Sequence, residues 1–235
     1  MLRRLALLTA LLASTASAQP SGADLLAAWQ AGWDEAVEGV EAVRLAETLR
    51  RTVDGPRGTL DIETDGELLL APFRRPRRTV DRATVNGEDL DLDRLKGMER
   101  RLRGALGRAA FDLRRPAALP SWDFAHAAPD GPVGSDRLGS ALAWRLPLRG
   151  TGRPGRLTAW FSRSRSAPRL LRLDRAQPIP GGGTLYRSTT YALTVGLDVP
   201  TSHSVRAQIE QRRRLRTYTL TLRADAQYRL AEVER

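Results

Sequence analysis

The sequence predicts an α+β fold: a single large, curved antiparallel sheet covered by two or three helices. Three observations predict it. From residue 42 onward, apolar residues alternate with polar ones over many short runs. Clusters of Gly, Pro, Asp and Asn separate those runs at regular spacing, as in a chain of hairpins. Two other segments carry apolar residues at spacings of three and four, the helical period. No linker divides the chain, so residues 19–235 read as one domain.

Each element follows in order. Arg3 and Arg4 precede a nine-residue apolar run, Leu5–Ala13, and Ala16-Ser17-Ala18 stands before Gln19. That is the layout of a secretory signal peptide over residues 1–18. The run is far shorter than the roughly 20 apolar residues that span a bilayer. The mature chain is therefore expected to start near Gln19 and to be exported, periplasmic and soluble. Residues 22–38 read as a helix whose Leu25, Leu26, Trp29, Trp33, Ala36 and Val37 form one apolar stripe, with Gly39 as its stop.

The period then changes to two. Over 42–53, Val43, Leu45, Leu49 and Val53 share one face, with Arg44, Thr48, Arg50 and Thr52 opposite. A turn at 54–58 leads into 59–70, where Leu60, Ile62, Leu68 and Leu70 share a face. The two runs predict a hairpin with one buried face. Pro72 and Pro76 bracket a basic loop around Phe73, and the next run, 78–85, ends in the hairpin signal Asn86-Gly87. Residues 91–107 read as a second helix, capped by Asp91, with Leu92, Leu95, Met98, Leu102 and Leu106 on one face. Gly97, Gly104 and Gly107 mark it as mobile or closely packed, and it serves either as a lid or as a plain amphipathic cover. Residues 114–139, with Trp122, Phe124 and His126, lack periodicity and read as a long irregular flap. The last hundred residues read as a meander, giving about nine strands in all.

Composition excludes several function classes. The chain has 235 residues, 38 basic and 27 acidic, for a net charge of +11. It has no cysteine, which excludes disulfides, thiol catalysis, iron–sulfur clusters and Cys-ligated zinc. Its two histidines, His126 and His203, cannot make a three-histidine metal site, and no cofactor is expected. All but Lys96 of the basic residues are arginines, spread in short runs with acidic residues between them. They read as a solvated face, and export removes nucleic acid as a partner. The anions left are lipid headgroups and polysaccharide.

The sequence carries little that points to catalytic chemistry. Gly181-Gly182-Gly183 lacks the Gly-Lys-Ser/Thr and the helix of a phosphate loop. Asp89-x-Asp91-x-Asp93 starts like a calcium loop, but Arg94 and Arg100 stand where Gly and Glu are needed. His203 keeps period two with Val205 and Ala207, so it faces the sheet interior or its rim as a structural histidine. No Gly-x-Ser-x-Gly, Ser-x-x-Lys or His-Glu-x-x-His occurs, and no catalytic residue is assigned.

The order of elements, with Gly58-Thr59-Leu60, Gly66 to Pro72, Thr84 to Glu88, Gly155 to Phe161, Leu171 to Leu173 and Val195 to Pro200, resembles the LolA-type periplasmic lipoprotein carriers. Their relatives include outer-membrane lipoprotein-sorting proteins and mycobacterial lipid-carrier lipoproteins. The resemblance implies an incomplete β-barrel whose concave apolar face, under helices, holds lipoprotein acyl chains or another lipid, in a monomer that meets membrane-bound transfer partners. The wall would be Leu45, Leu60, Leu68, Leu70, Val80 and Leu157, with Phe161, Leu185, Tyr191, Val205 and Leu220. Arg74 or Arg78 would be the basic residue at the cavity mouth. Those wall residues either line a cavity or fill a dry core. Two other readings compete with the carrier. One is an envelope module that binds anionic lipid or polysaccharide through its Arg-rich face. The other is an exported hydrolase with paired carboxylates, which needs two acidic groups in one cleft.

Overall fold

The computed structural model describes residues 19–56, 58–72, 74–106, 115–120, 124, 127–150, 155–164, 166–179, 183–213 and 216–235. The predicted signal peptide, Phe73, Trp122 and His126 lie outside them.

Helix α1 (Gly22–Val37) begins where Ser21 caps it: the Ser21 Oγ accepts from the Asp24 N–H at 3.1 Å. Its stripe of Leu25, Leu26, Trp29 and Trp33 is buried, and Gly39, at φ +72°, ends it. Strands β1 (Ala42–Gly55), β2 (Gly58–Leu70), β3 (Arg77–Val85) and β4 (Glu88–Asp89) follow. Asn86 and Gly87 both have positive φ, at 50° and 85°, the geometry that joins two twisted strands through two residues. Helix α2 (Leu92–Leu106) starts at Asp91, whose Oδ1 accepts from the N–H groups of Asp93 at 2.8 Å and Arg94 at 3.3 Å.

Eight strands complete the chain: β5 (Ala127–Pro129), β6 (Gly134–Leu138), β7 (Ala141–Gly150), β8 (Arg156–Ser162), β9 (Leu170–Pro178), β10 (Thr184–Thr194), β11 (Leu197–Arg213) and β12 (Arg216–Glu234). All twelve strands join one antiparallel sheet in the order β4-β3-β2-β1-β12-β11-β10-β9-β8-β7-β5, with β6 also on β7. No described pairing links the two ends, so the sheet does not close into a barrel. Its edges are blunt, β4 having two residues and β5 three, which limits pairing with other chains.

Three expectations are corrected. Residues 114–139 are not one irregular segment, because β5 and β6 lie within them. Both are edge strands with mostly exposed side chains, so they carry no hydrophobic alternation. The strand count is twelve, not about nine. Strands β11 and β12 also run well past 203–210 and 215–223. Pro200 sits inside β11, but β11 pairs with β12 only from Ser202, so Pro200 faces no partner strand on that side. Beyond residue 223, β12 keeps its period with small residues, Ala224 and Ala226, before Tyr228.

The inner face carries two apolar clusters. The main one packs β1, β2 and β7 to β12 under α1, with Trp29 at ring distances of 4.6 Å from Phe124 and 6.1 Å from Phe161. The smaller one, around Ile62, Ala83 and Leu95, joins β2 and β3 to α2, and Leu102 touches both. Gly66 sits at a β-bulge between them, opposite Glu47 and Val80. A Cβ there would meet the Thr79 carbonyl oxygen at 2.2 Å. Gly66→Ala is therefore expected to lower stability by about 1–3 kcal/mol, seen as a lower denaturant midpoint. Gly97, on α2, has nothing within 4 Å of its would-be Cβ, so it marks no close helix packing. Gly97→Ala is expected to raise stability by about 0.5–1 kcal/mol in the same measurement.

Candidate functional site between sheet and helices

Nine of the eleven predicted wall residues come together. Leu45, Leu68, Leu70, Leu157, Phe161 and Leu185 are buried in the main cluster. Tyr191 and Val205 join them there, and Leu220 packs against it half-buried. Leu60 and Val80 do not belong to that wall, because α2 sits over the β2–β3 end and gathers them into the smaller cluster. The two predicted basic residues also part. Arg74 is exposed on the loop before β3. Arg78 stands opposite Leu68 on the inner face, and its Nη2 donates to the Glu47 Oε1 at 2.7 Å while its Nε pairs with Oε2.

The inner face is less apolar than its leucines indicate. Glu47 and Arg51 follow Leu45 and Leu49 at period two, so they point inward with them. Arg51 Nη1 donates to Glu99 on α2 at 2.8 Å, with both side chains nearly buried. Tyr228 is the cross-strand neighbour of Glu47. Burial, then the nearby Glu47 carboxylate, pushes its phenol far above the usual range. Its oxygen accepts from the Ala117 N–H at 3.2 Å, and the Tyr191 hydroxyl reaches the Ala118 carbonyl at 3.5 Å. The segment Arg115–Pro120 is thus held against the middle of the inner face by two tyrosines.

Beneath that segment lies a basic pocket. Arg187 on β10 stands opposite Arg175 on β9, and in the same row opposite Val205 on β11, while Thr189 stands opposite His203. These four polar residues, with Arg115, Ala117, Ala118 and Leu173, line a pocket of about 30 Å³, above the roughly 10–15 Å³ one water needs. His203 Nδ1 lies 2.8 Å from the Thr189 hydroxyl, and its Nε2 has no hydrogen-bond partner among the described residues. Burial first, then the Arg187, Arg78 and Arg115 guanidiniums, push the imidazole down to about 3 from 6.5. Both effects disfavour the charged ring.

The sign of the pH dependence follows. The unfolded chain binds a proton at His203 below about 6.5 and the folded chain does not until about 3. Stability should therefore be greatest above pH 6.5 and fall as pH drops toward 3, with a slope of at most about 1.4 kcal/mol per pH unit from this group. His203→Gln should flatten that slope in denaturation curves recorded from pH 7 to 4. An unchanged slope would place the acid sensitivity elsewhere.

Asp198 is a second buried polar residue. Its Oδ2 accepts from Trp29 Nε1 at 3.1 Å and from the Leu170 N–H at 3.0 Å, tying α1 to β9 and β11. Burial raises its pKa against those two hydrogen bonds. Among the described residues, no group of three His, Asp or Glu side chains is placed to hold a metal ion. No described helix is long and apolar enough to cross a membrane.

No family model matches the chain, and no curated protein matches it. Among solved structures it is similar to the crystal structure of MucB in complex with MucA(peri), over 86% of this chain and 93% of that chain, at 10% identity and a TM-score of 0.21. A likeness of that size carries no argument about fold or function. The resemblance to LolA-type carriers rests on the residues quoted above and on the order of the elements.

Proposed function

We propose that this is an exported, non-enzymatic binding protein that carries a hydrophobic or acyl-chain ligand between sheet and helices. The observation that carries this reading is the cover over the middle of the inner face. Helix α1 packs near β5 and β11, and α2 near β3. Between them the face is spanned by Arg115–Pro120, whose Ala117 N–H donates to Tyr228, whose Ala118 carbonyl accepts from Tyr191, and whose Ala117 and Leu119 side chains pack into the main cluster. Lifting so short a cover would expose Ala117, Ala118 and Leu119, and an acyl chain taking their place would restore the apolar contact they lose. Each acyl CH₂ then enclosed contributes about 0.8 kcal/mol, so a sheltered chain competes with a membrane. The test is native mass spectrometry of protein purified from its own host. Lipid leaving with the protein is the expected result, and bare protein alone overturns the reading.

A second reading has its own observation. Arg74, Arg75 and Arg77 are exposed beside β3, and Arg94, Arg100 and Arg101 are exposed on α2, which packs on β3. These exposed guanidiniums, on a chain with a net charge of +11, suit anionic lipid or polysaccharide. Binding to anionic vesicles should weaken steeply with salt; binding indifferent to salt would reject it.

A further inference from the structure

A groove of about 640 Å³ runs between α1 and the end of the β10–β11 hairpin, within the size of ligand-binding clefts. Its lining includes Gly32 and Trp33 on α1, Val195 and Gly196 at the hairpin end, and Asp198 on β11. Two polar atoms of these residues have no partner among the described residues. Asp198 is 3% exposed, and only its Oδ2 is engaged, by Trp29 Nε1 and the Leu170 N–H. Its Oδ1 accepts from nothing, and the Nε1–H of Trp33, which stacks on Trp29 with ring centroids 6.0 Å apart, donates to nothing. One buried acceptor and one buried donor thus stand unmet in a single cluster, and each is costly without a partner.

The hairpin end is irregular too. Val195 and Gly196 both have positive φ, at 52° and 84°, as Asn86 and Gly87 do in the β3–β4 turn. Asparagine tolerates that conformation, whereas a β-branched valine is strained in it. Val195 is 59% exposed, so packing within the chain offsets little of that strain.

We propose that the groove binds an extended peptide segment through its main chain, with Asp198 Oδ1 accepting from a peptide N–H, Trp33 Nε1–H donating to a peptide carbonyl, and Val195 packing on a peptide side chain. A peptide group presents one donor and one acceptor, the complement of the two unmet atoms. A lipid tail offers neither, and a polysaccharide offers hydroxyls but no apolar side chain for Val195. Small residues on the α1 side, Ala28, Gly32 and Ala36, let a backbone come close. Both polar atoms are covered in the free protein, so binding includes a small shift of the Val195–Gly196 end, whose strain it releases. Nothing in this depends on a ligand under the sheet, so the proposal stands or falls apart from the carrier reading.

Five tryptophans give five indole N–H signals, and Trp33→Phe assigns that of Trp33. Proton–nitrogen spectra of the labelled protein would follow titrations with the uncharged peptide acetyl-Val-Ala-Val-Ala-amide, with its backbone N-methylated form and with maltose. Main-chain contacts supply the affinity in such docking, so a generic peptide serves as the probe. The parent peptide is expected to move the Trp33 signal downfield, as a new hydrogen bond does, and N-methylation to weaken binding about tenfold. Gly32→Phe should abolish the shift, because a Cβ at Gly32 meets nothing within 4 Å and the ring fills the groove without disturbing the core. Val195→Asn should raise the thermal unfolding midpoint while weakening the peptide about tenfold, a pairing that a merely structural role would not give. A Trp33 signal that ignores the peptide overturns the proposal. Equal binding of the N-methylated form, a larger shift with maltose, or peptide binding left intact by Gly32→Phe overturns it as well.

Discussion

Replacing Phe161 by alanine is expected to lower the stability of the fold by about 3–5 kcal/mol, measured by urea unfolding at neutral pH. Phe161 is 0% exposed, on the inner face of β8. Its ring lies 6.1 Å from Trp29 and 6.4 Å from Phe124 in tilted contacts, the geometry aromatic rings prefer. Truncation removes the transfer energy of the ring and leaves a hole that α1 cannot collapse into, because Trp29 is held in place by Asp198. Leu142→Ala, at a position 50% exposed, is the control and should change stability by less than about 0.5 kcal/mol. The size of the Phe161 loss also tells a filled interior from a hollow one. A side chain facing open space costs little more than its transfer energy, so a loss under about 1.5 kcal/mol would show that this part of the wall is not packed.

The second large effect is expected at Glu47. Glu47→Leu should cost about 3–5 kcal/mol, because it removes the buried carboxylate that Arg78 pairs with beside an apolar wall. Arg78 is 15% exposed and Glu47 only 3%, so water cannot replace the lost carboxylate fully. Tyr228, opposite Glu47 across the β1–β12 ladder, has that same carboxylate beside it. The double variant Glu47→Leu/Arg78→Met removes both charges and should regain most of the loss. A double variant whose loss equals the two single losses added together would mean that the pair is not coupled.

Much of this architecture was legible in the residues. The stripe of α1, the β1–β2 hairpin, the Asn86-Gly87 turn and the Asp91 cap each depend on neighbours close in sequence, and local periodicity reports such contacts. What escaped depends on partners far away. The short edge strands β5 and β6 exist because β7 offers them hydrogen bonds, not because their side chains alternate. Leu60 and Val80 share the period of the wall, yet where α2 docks decides which cluster they join. The basic pocket was half visible. Arg187 and Thr189 follow Leu185 at period two, just as Glu47 and Arg51 follow Leu45 and Leu49. The signal for inward polar residues was in the phase of the pattern, and a reading that weighs only apolar positions passes over it. That Arg175 meets Arg187, and that Thr189 meets His203, is a matter of strand register, which no single run encodes.

The pairing of β1 with β12 sets the timing of folding. Ala42 lies against Glu234 and Asp54 against Thr221, so the centre of the sheet joins the first strand to the last. Contacts of such large sequence separation form slowly, since a long loop must close first. A chain emerging from a ribosome or a translocation pore could build the hairpins at either flank, but the centre of its sheet would stay open until β12 arrived. Such a polypeptide remains threadable until β12 follows, and then the sheet zips shut.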